Sequence, residues 1–154
     1  YNLLKAWKAA DTSFPFVDSH NKTYSVRDGS DWEQTLKPRL HERLNASANV
    51  VLFLSSETKY SRALREEIDY AINTNGLPII VVYPEIKDKV GVHTSVGFTT
   101  KVKNLWNTLP VFRDNKYKVP VLHVPNDKKL IRNALGDTDF RVATKTKATD
   151  YFYK

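Results

Sequence analysis

One junction constrains this chain more than any other. The apolar run Val50-Val51-Leu52-Phe53-Leu54 stops at Ser55-Ser56 and gives way, within a few residues, to the amphipathic stretch Arg62-Ala63-Leu64-Arg65-Glu66-Glu67-Ile68. The run shows no polar alternation, the pattern of a strand covered by helices on both faces of a parallel sheet. Beyond it Tyr60, Leu64, Ile68, Ala71 and Ile72 recur at spacings of four, four, three and one, which trace one helical face. In open α/β sheets ligands bind at the carboxyl ends of the strands, where this strand hands over to this helix.

The two adjacent acids of that helix are not equivalent. At roughly 100° per residue, Glu66 points away from the apolar face, whereas Glu67 lies on its flank beside Ala63, Leu64 and Ala71. Glu66 follows Arg62 by four residues and Asp69 follows Arg65 by four, a spacing that predicts surface ion pairs worth a few tenths of a kcal/mol each. Glu67 has no basic partner at helical spacing on its C-terminal side. A carboxylate placed there is either a tolerated boundary residue or a functional one.

The rest of the chain alternates in the same way. Tyr1 to Ala10 reads as a helix, Phe14 to Asp18 as a short strand whose Pro15 suits an edge or a strand start, and Ser19 to Asp31 as a polar loop. Trp32 to Ala46 carries Leu36, Leu40 and Leu44 at helical spacing, with Pro38 marking a first turn. Asn75-Gly76 is a helix stop, and Leu77 to Tyr83 and Val119 to Val124 are two further apolar strands. Asp127 to Leu135 reads as a short helix, and Ile86 to Lys118 as loop with irregular helix around Leu105 and Trp106. This alternation predicts a single α/β domain over 1–154, a parallel sheet of four to five strands with helices on both faces. With a strand order of 2-1-3-4-5, the central strand would sit between the Phe14 and Val50 strands, so a first strand is expected ahead of Tyr1.

Composition removes several function classes. Among 154 residues there is no Cys, hence no disulfide framework and no thiol nucleophile. His20, His41, His93 and His123 are scattered without the short ligand spacings of a zinc site. Neither long apolar run is long enough to cross a bilayer, so a cytoplasmic protein without membrane partners is expected. Residues 1–100 hold 12 basic and 12 acidic side chains, while residues 101–154 hold 12 and 5, the source of the whole net charge of +7. Such a basic third attracts anions. It lacks the run of stacking aromatics of an RNA-binding module, and nucleic acid is not the expected partner.

The ordered series Asn2-Leu3-Leu4-Lys5-Ala6-Trp7, Asn49 to Ser56, Arg62 to Ile68, Leu77-Pro78-Ile79-Ile80 and Leu109-Pro110-Val111-Phe112-Arg113-Asp114 resembles the TIR-like domain of the Thoeris anti-phage ThsB family. The resemblance implies a flavodoxin-like fold and NAD as substrate, with no further cofactor. It implies cleavage of the nicotinamide-ribose bond and a cyclic ADP-ribose isomer that signals to a partner effector. Self-association is expected as well. TIR-type enzymes carry one essential glutamate on the helix after the third strand, four residues after a Trp and just before an aliphatic residue. Glu67, followed by Ile68, matches that place; the Trp position holds Ala63, and Glu66 stands as a second candidate.

One carboxylate suffices for such chemistry. Nicotinamide leaves readily because its ring nitrogen is cationic, so the site need only orient the ribose and stabilise an oxocarbenium-like transition state. Asp18, Ser55 and Ser56 are the expected substrate contacts, their ordinary role being turn chemistry and helix capping. Two other classes remain open: a TIR-like interaction module without catalysis, and a nucleoside deoxyribosyltransferase-like enzyme with a nucleophilic glutamate.

Overall fold

The computed structural model of the protein describes residues 6, 7, 9, 10, 31–58 and 61–154. The expected Phe14 strand, most of the loop after it and Asp18 lie outside the described residues. In chain order the elements are α1 (Lys37–Asn45), β1 (Val50–Phe53), α2 (Arg62–Asp69), β2 (Ile79–Tyr83), α3 (Lys89–Val92), β3 (His93–Thr94) and β4 (Gly97–Phe98). They continue with α4 (Thr100–Asn107), α5 (Pro110–Asn115), β5 (Val121–Pro125), α6 (Lys128–Gly136) and β6 (Asp150–Phe152).

The apolar runs pair as a four-stranded sheet in the order β1-β2-β5-β6, all neighbours parallel. Val50 faces Ile79 across β1 and β2, and Val81 faces His123 across β2 and β5. β2 and β5 are buried along their whole length, as continuous apolar runs require in the middle of a covered sheet. Helices cover both faces. On one, α1, α2 with the turn that follows it, α4 and α5 bring Leu40, Leu44, Ile68, Ala71, Val102, Leu105 and Phe112 onto Leu52, Ile79, Val81 and Val121. On the other, Ile131 and Ala134 of α6 pack with Phe140 on Ile80, Val82, Leu122 and Val124, and Trp7 joins them. This is the α/β arrangement expected from the alternation, and it is consistent with the flavodoxin-like fold that the resemblance implies.

Three details differ from the sequence reading. β1 alternates, Val50 and Leu52 buried but Val51 and Phe53 only half-buried, so its second face is the less covered among the described residues. The stretch after Ile86 is more regular than expected: it holds α3, an antiparallel β3–β4 hairpin, α4 and α5, three of them started by side-chain caps or by Pro110. The sheet also gains a strand beyond those expected, since β6 adds Tyr151 opposite Leu122 and Phe152 opposite His123.

Local chemistry sets the ends of α1 and α2. Asp31 caps a π-helical turn, Trp32–Leu36, that runs into α1, where Pro38 occupies the first regular turn. Ser61 Oγ accepts from Leu64 N at 3.1 Å to start α2. A second π-turn, Tyr70–Thr74, extends it to Asn75-Gly76. Gly76 takes φ +61° there, and Leu77 N returns to Ala71 O at 2.8 Å, the close of a helix at a left-handed glycine.

Candidate functional site

Glu67 sits in the seam between α1 and α2. Its neighbours in sequence, Ile68 and Leu64, pack into the core, which draws the flank of α2 against α1 and takes Glu67 with it: only 7% of the residue is exposed. A carboxylate so buried needs a counter-charge. Arg43 supplies one from the last turn of α1, with Nη2 at 2.9 Å from Glu67 Oε1 and both side chains 9% exposed. The contact is one of proximity: the N–H is not aimed at the oxygen, and the Nε and Nη2 of Arg43 are buried without a hydrogen-bond partner. Each such donor costs about 1–3 kcal/mol. The pair thus joins two buried charges without completing the fork geometry that makes arginine pairs strong.

Glu66 is placed differently from the expected surface pair. Arg62 turns to Glu33 Oε1 at 3.0 Å, and Glu66 Oε1 instead accepts from His41 Nε2 at 2.6 Å, with the imidazole stacked on Tyr70 at 3.7 Å. Asp69 accepts from Asn73 at 2.6 Å. The adjacent acids therefore reach two residues of one helix, His41 and Arg43, and Tyr70 adds a third tie through its hydroxyl to Asn45 Oδ1 at 3.0 Å. Helical phase made Glu67 the more buried of the two acids, as found, but it set Glu66 on the open face of α2 and could not name partners on another helix. The available signal was Arg43 itself, a base adjoining Leu44 at the margin of α1's apolar face, opposite an acid on the matching margin of α2.

Ser55 and Ser56 lie at the carboxyl end of β1. Thr58 Oγ1 accepts from Ser55 N at 2.8 Å, and Ser56 donates through both N and Oγ to the carboxylate of Glu85, just past β2. Those two bonds hold the Glu85 carboxyl below the usual range. Among the described residues, no hydrogen bond joins this turn to Glu67. The strand-end serines and the helix acid are thus separately held, and Asp18 lies outside the described residues.

A second polar cluster escaped the sequence reading. Trp106 Nε1 donates to Tyr83 Oη at 2.7 Å, Tyr83 Oη lies 2.6 Å from His123 Nδ1, and His123 Nε2 lies 2.8 Å from Asp150 Oδ1. Lys116 Nζ closes the chain on Asp150 Oδ2 at 2.6 Å and stands 4.3 Å over the Trp106 ring. Because an indole only donates and a carboxylate only accepts, the directions are fixed: Tyr83 donates to Nδ1, and a neutral His123 donates from Nε2. Burial pushes the His123 pKa down against the opposing Asp150 bond. For Asp150 burial works upward, but the bonds from His123 and Lys116 outweigh it and hold the carboxyl down. Burial likewise raises the Tyr83 hydroxyl. The cluster ties β2, β5, β6, α4 and the turn after α5 together. Its signal was a histidine inside the apolar run Val121-Leu122-His123-Val124, which demands buried partners.

The family model described as Thoeris protein ThsB, TIR-like domain, matches residues 1–89. That stretch takes in α1, β1, α2 and β2, and with them Arg43, Ser55, Ser56, Glu66 and Glu67.

Proposed function

Because the chain belongs to the Thoeris ThsB TIR-like domain family, we propose that it is an NAD-consuming enzyme of anti-phage defence, with Glu67 as its acid. In this reading the Glu67 carboxylate hydrogen-bonds the ribose hydroxyls of NAD and stabilises the oxocarbenium-like charge as nicotinamide departs. A nucleophile of the same molecule then closes on the anomeric carbon, giving a cyclic ADP-ribose-type signal for an effector protein. Ser55, Ser56 and Asp18 are proposed to contact the substrate, and self-association to complete the site. The observation that carries the reading is a glutamate nine-tenths buried on the helix after β1, followed directly by an aliphatic residue.

A second reading is favoured by one observation: both glutamates are engaged within the α1–α2 seam. It takes the chain as an assembly module in which the acids only join helices. Incubation with NAD, alone and with an infection trigger, separates the two. Free nicotinamide with a cyclic product supports the enzyme; its absence under both conditions supports the module. Base exchange between nucleosides, without turnover of NAD, would instead point to a deoxyribosyltransferase.

A further inference from the structure

We propose that Arg43 is a bolt over Glu67: the arrangement described above is a resting state, and the acid becomes available when the guanidinium swings out of the α1–α2 seam. This inference rests on the reading of Glu67 as the reacting acid.

Three observations point to it. First, with both side chains 9% exposed and Nη2 at 2.9 Å from Oε1, a ribose cannot reach this carboxylate while Arg43 occupies the seam. Second, the closed state is imperfect. Arg43 Nε and Nη2 are buried without hydrogen-bond partners, and rotation into water satisfies both donors at once. The bolt therefore holds by charge proximity and packing, opposed by its own unsatisfied donors. Third, the movement needs no unfolding. Leu40 and Leu44, each 1% exposed, anchor α1 in the core, and His41–Glu66 and Asn45–Tyr70 tie the seam on either side of Arg43. The backbone stays while one long side chain at the margin changes rotamer. A ligand or partner that captures the released guanidinium, or a substrate that engages the freed carboxylate, shifts the balance by its differential affinity for the open state.

Two measurements on the full chain test this. Carboxyl labelling by a water-soluble carbodiimide with an amine, mapped by mass spectrometry, reads access to Glu67 without reference to NAD. Labelling of Glu67 should be slow in the wild-type protein and at least several-fold faster in Arg43→Gln, with the exposed Glu57 unchanged. Nicotinamide release from NAD without a trigger should rise several-fold in Arg43→Gln and fall to the Glu67→Gln level in the double variant. Arg43→Met, which keeps the bulk but not the charge, is read if Arg43→Gln fails to fold. Unchanged labelling and unchanged basal release would overturn the bolt, as would loss of fold in both variants, which would make Arg43 a structural clamp. Release that rises in Arg43→Gln but persists when Glu67 is also Gln would overturn the assignment of the acid, while the labelling still reports whether Arg43 covers it.

Discussion

Tyr83 Oη lies 2.6 Å from His123 Nδ1, the central link of a buried chain that runs from Trp106 to Asp150 and Lys116. That link requires His123 to stay neutral, because a protonated Nδ1 could not accept from the hydroxyl.

Stability should therefore fall on mild acidification. The folded pKa of His123 is lowered, so below about pH 6.5 the unfolded chain binds a proton that the folded chain refuses. Stability rises with pH in that window and is lost as pH falls, by up to about 1.4 kcal/mol per pH unit. Urea unfolding of the wild-type protein should give a lower midpoint at pH 5.5 than at pH 7.5, pH values chosen to bracket roughly the free imidazole pKa. His123→Gln, which can still accept from Tyr83 and donate to Asp150, should flatten this dependence. Equal pH slopes in both proteins would contradict the neutral assignment. Asp150, with its pKa lowered, adds a second loss only at lower pH, below the ordinary carboxylate range.

Asp150→Asn should loosen the C-terminal edge. It leaves Lys116, 15% exposed, without its counter-charge, and the single amide oxygen can accept from only one of the two donors, His123 and Lys116. A loss of about 1.5–3 kcal/mol is expected for a hydrogen bond to a charged group. The amide of Tyr151, which lies opposite Leu122 in the β5–β6 pair, should exchange faster in Asp150→Asn than in the wild-type protein, with the amides of β2 unchanged.

Two glycine substitutions should part company. A Cβ on Gly91 would stand 2.5 Å from Ile86 Cγ2, against a buried side chain, so Gly91→Ala should destabilise by about 1–3 kcal/mol. At Gly136, in the last turn of α6, nothing lies within 4 Å, and Gly136→Ala should be neutral or stabilising by up to about 1 kcal/mol. Thermal melts of the two variants compare them directly.

The strands that form the sheet's centre were legible because burial on both faces leaves an uninterrupted apolar run, as in Ile79 to Tyr83. The helix stop at Asn75-Gly76 and the place of Pro38 were legible for equally local reasons. β6 was not, since an edge strand of three half-buried residues carries no such run. The partners of the acids were not legible either. Arg43 lies 24 residues before Glu67, and His41 25 before Glu66, and helical spacing within α2 offered only Arg62 as a competing base. The chain Tyr83–His123–Asp150 spans three strands, so only the sheet register brings it together.

Under the proposed function Glu67, and not Glu66, is the acid that breaks the nicotinamide-ribose bond. Initial rates of nicotinamide release from NAD by triggered Glu67→Gln and Glu66→Gln proteins test it most directly. Glu67→Gln should lose about 10²-fold or more, the scale of removing a transition-state charge partner. Glu66→Gln, which keeps an acceptor for His41, should stay within a few-fold of the wild type. A Glu67→Gln protein that turns over NAD at the wild-type rate, or a loss that follows Glu66 instead, would contradict the account.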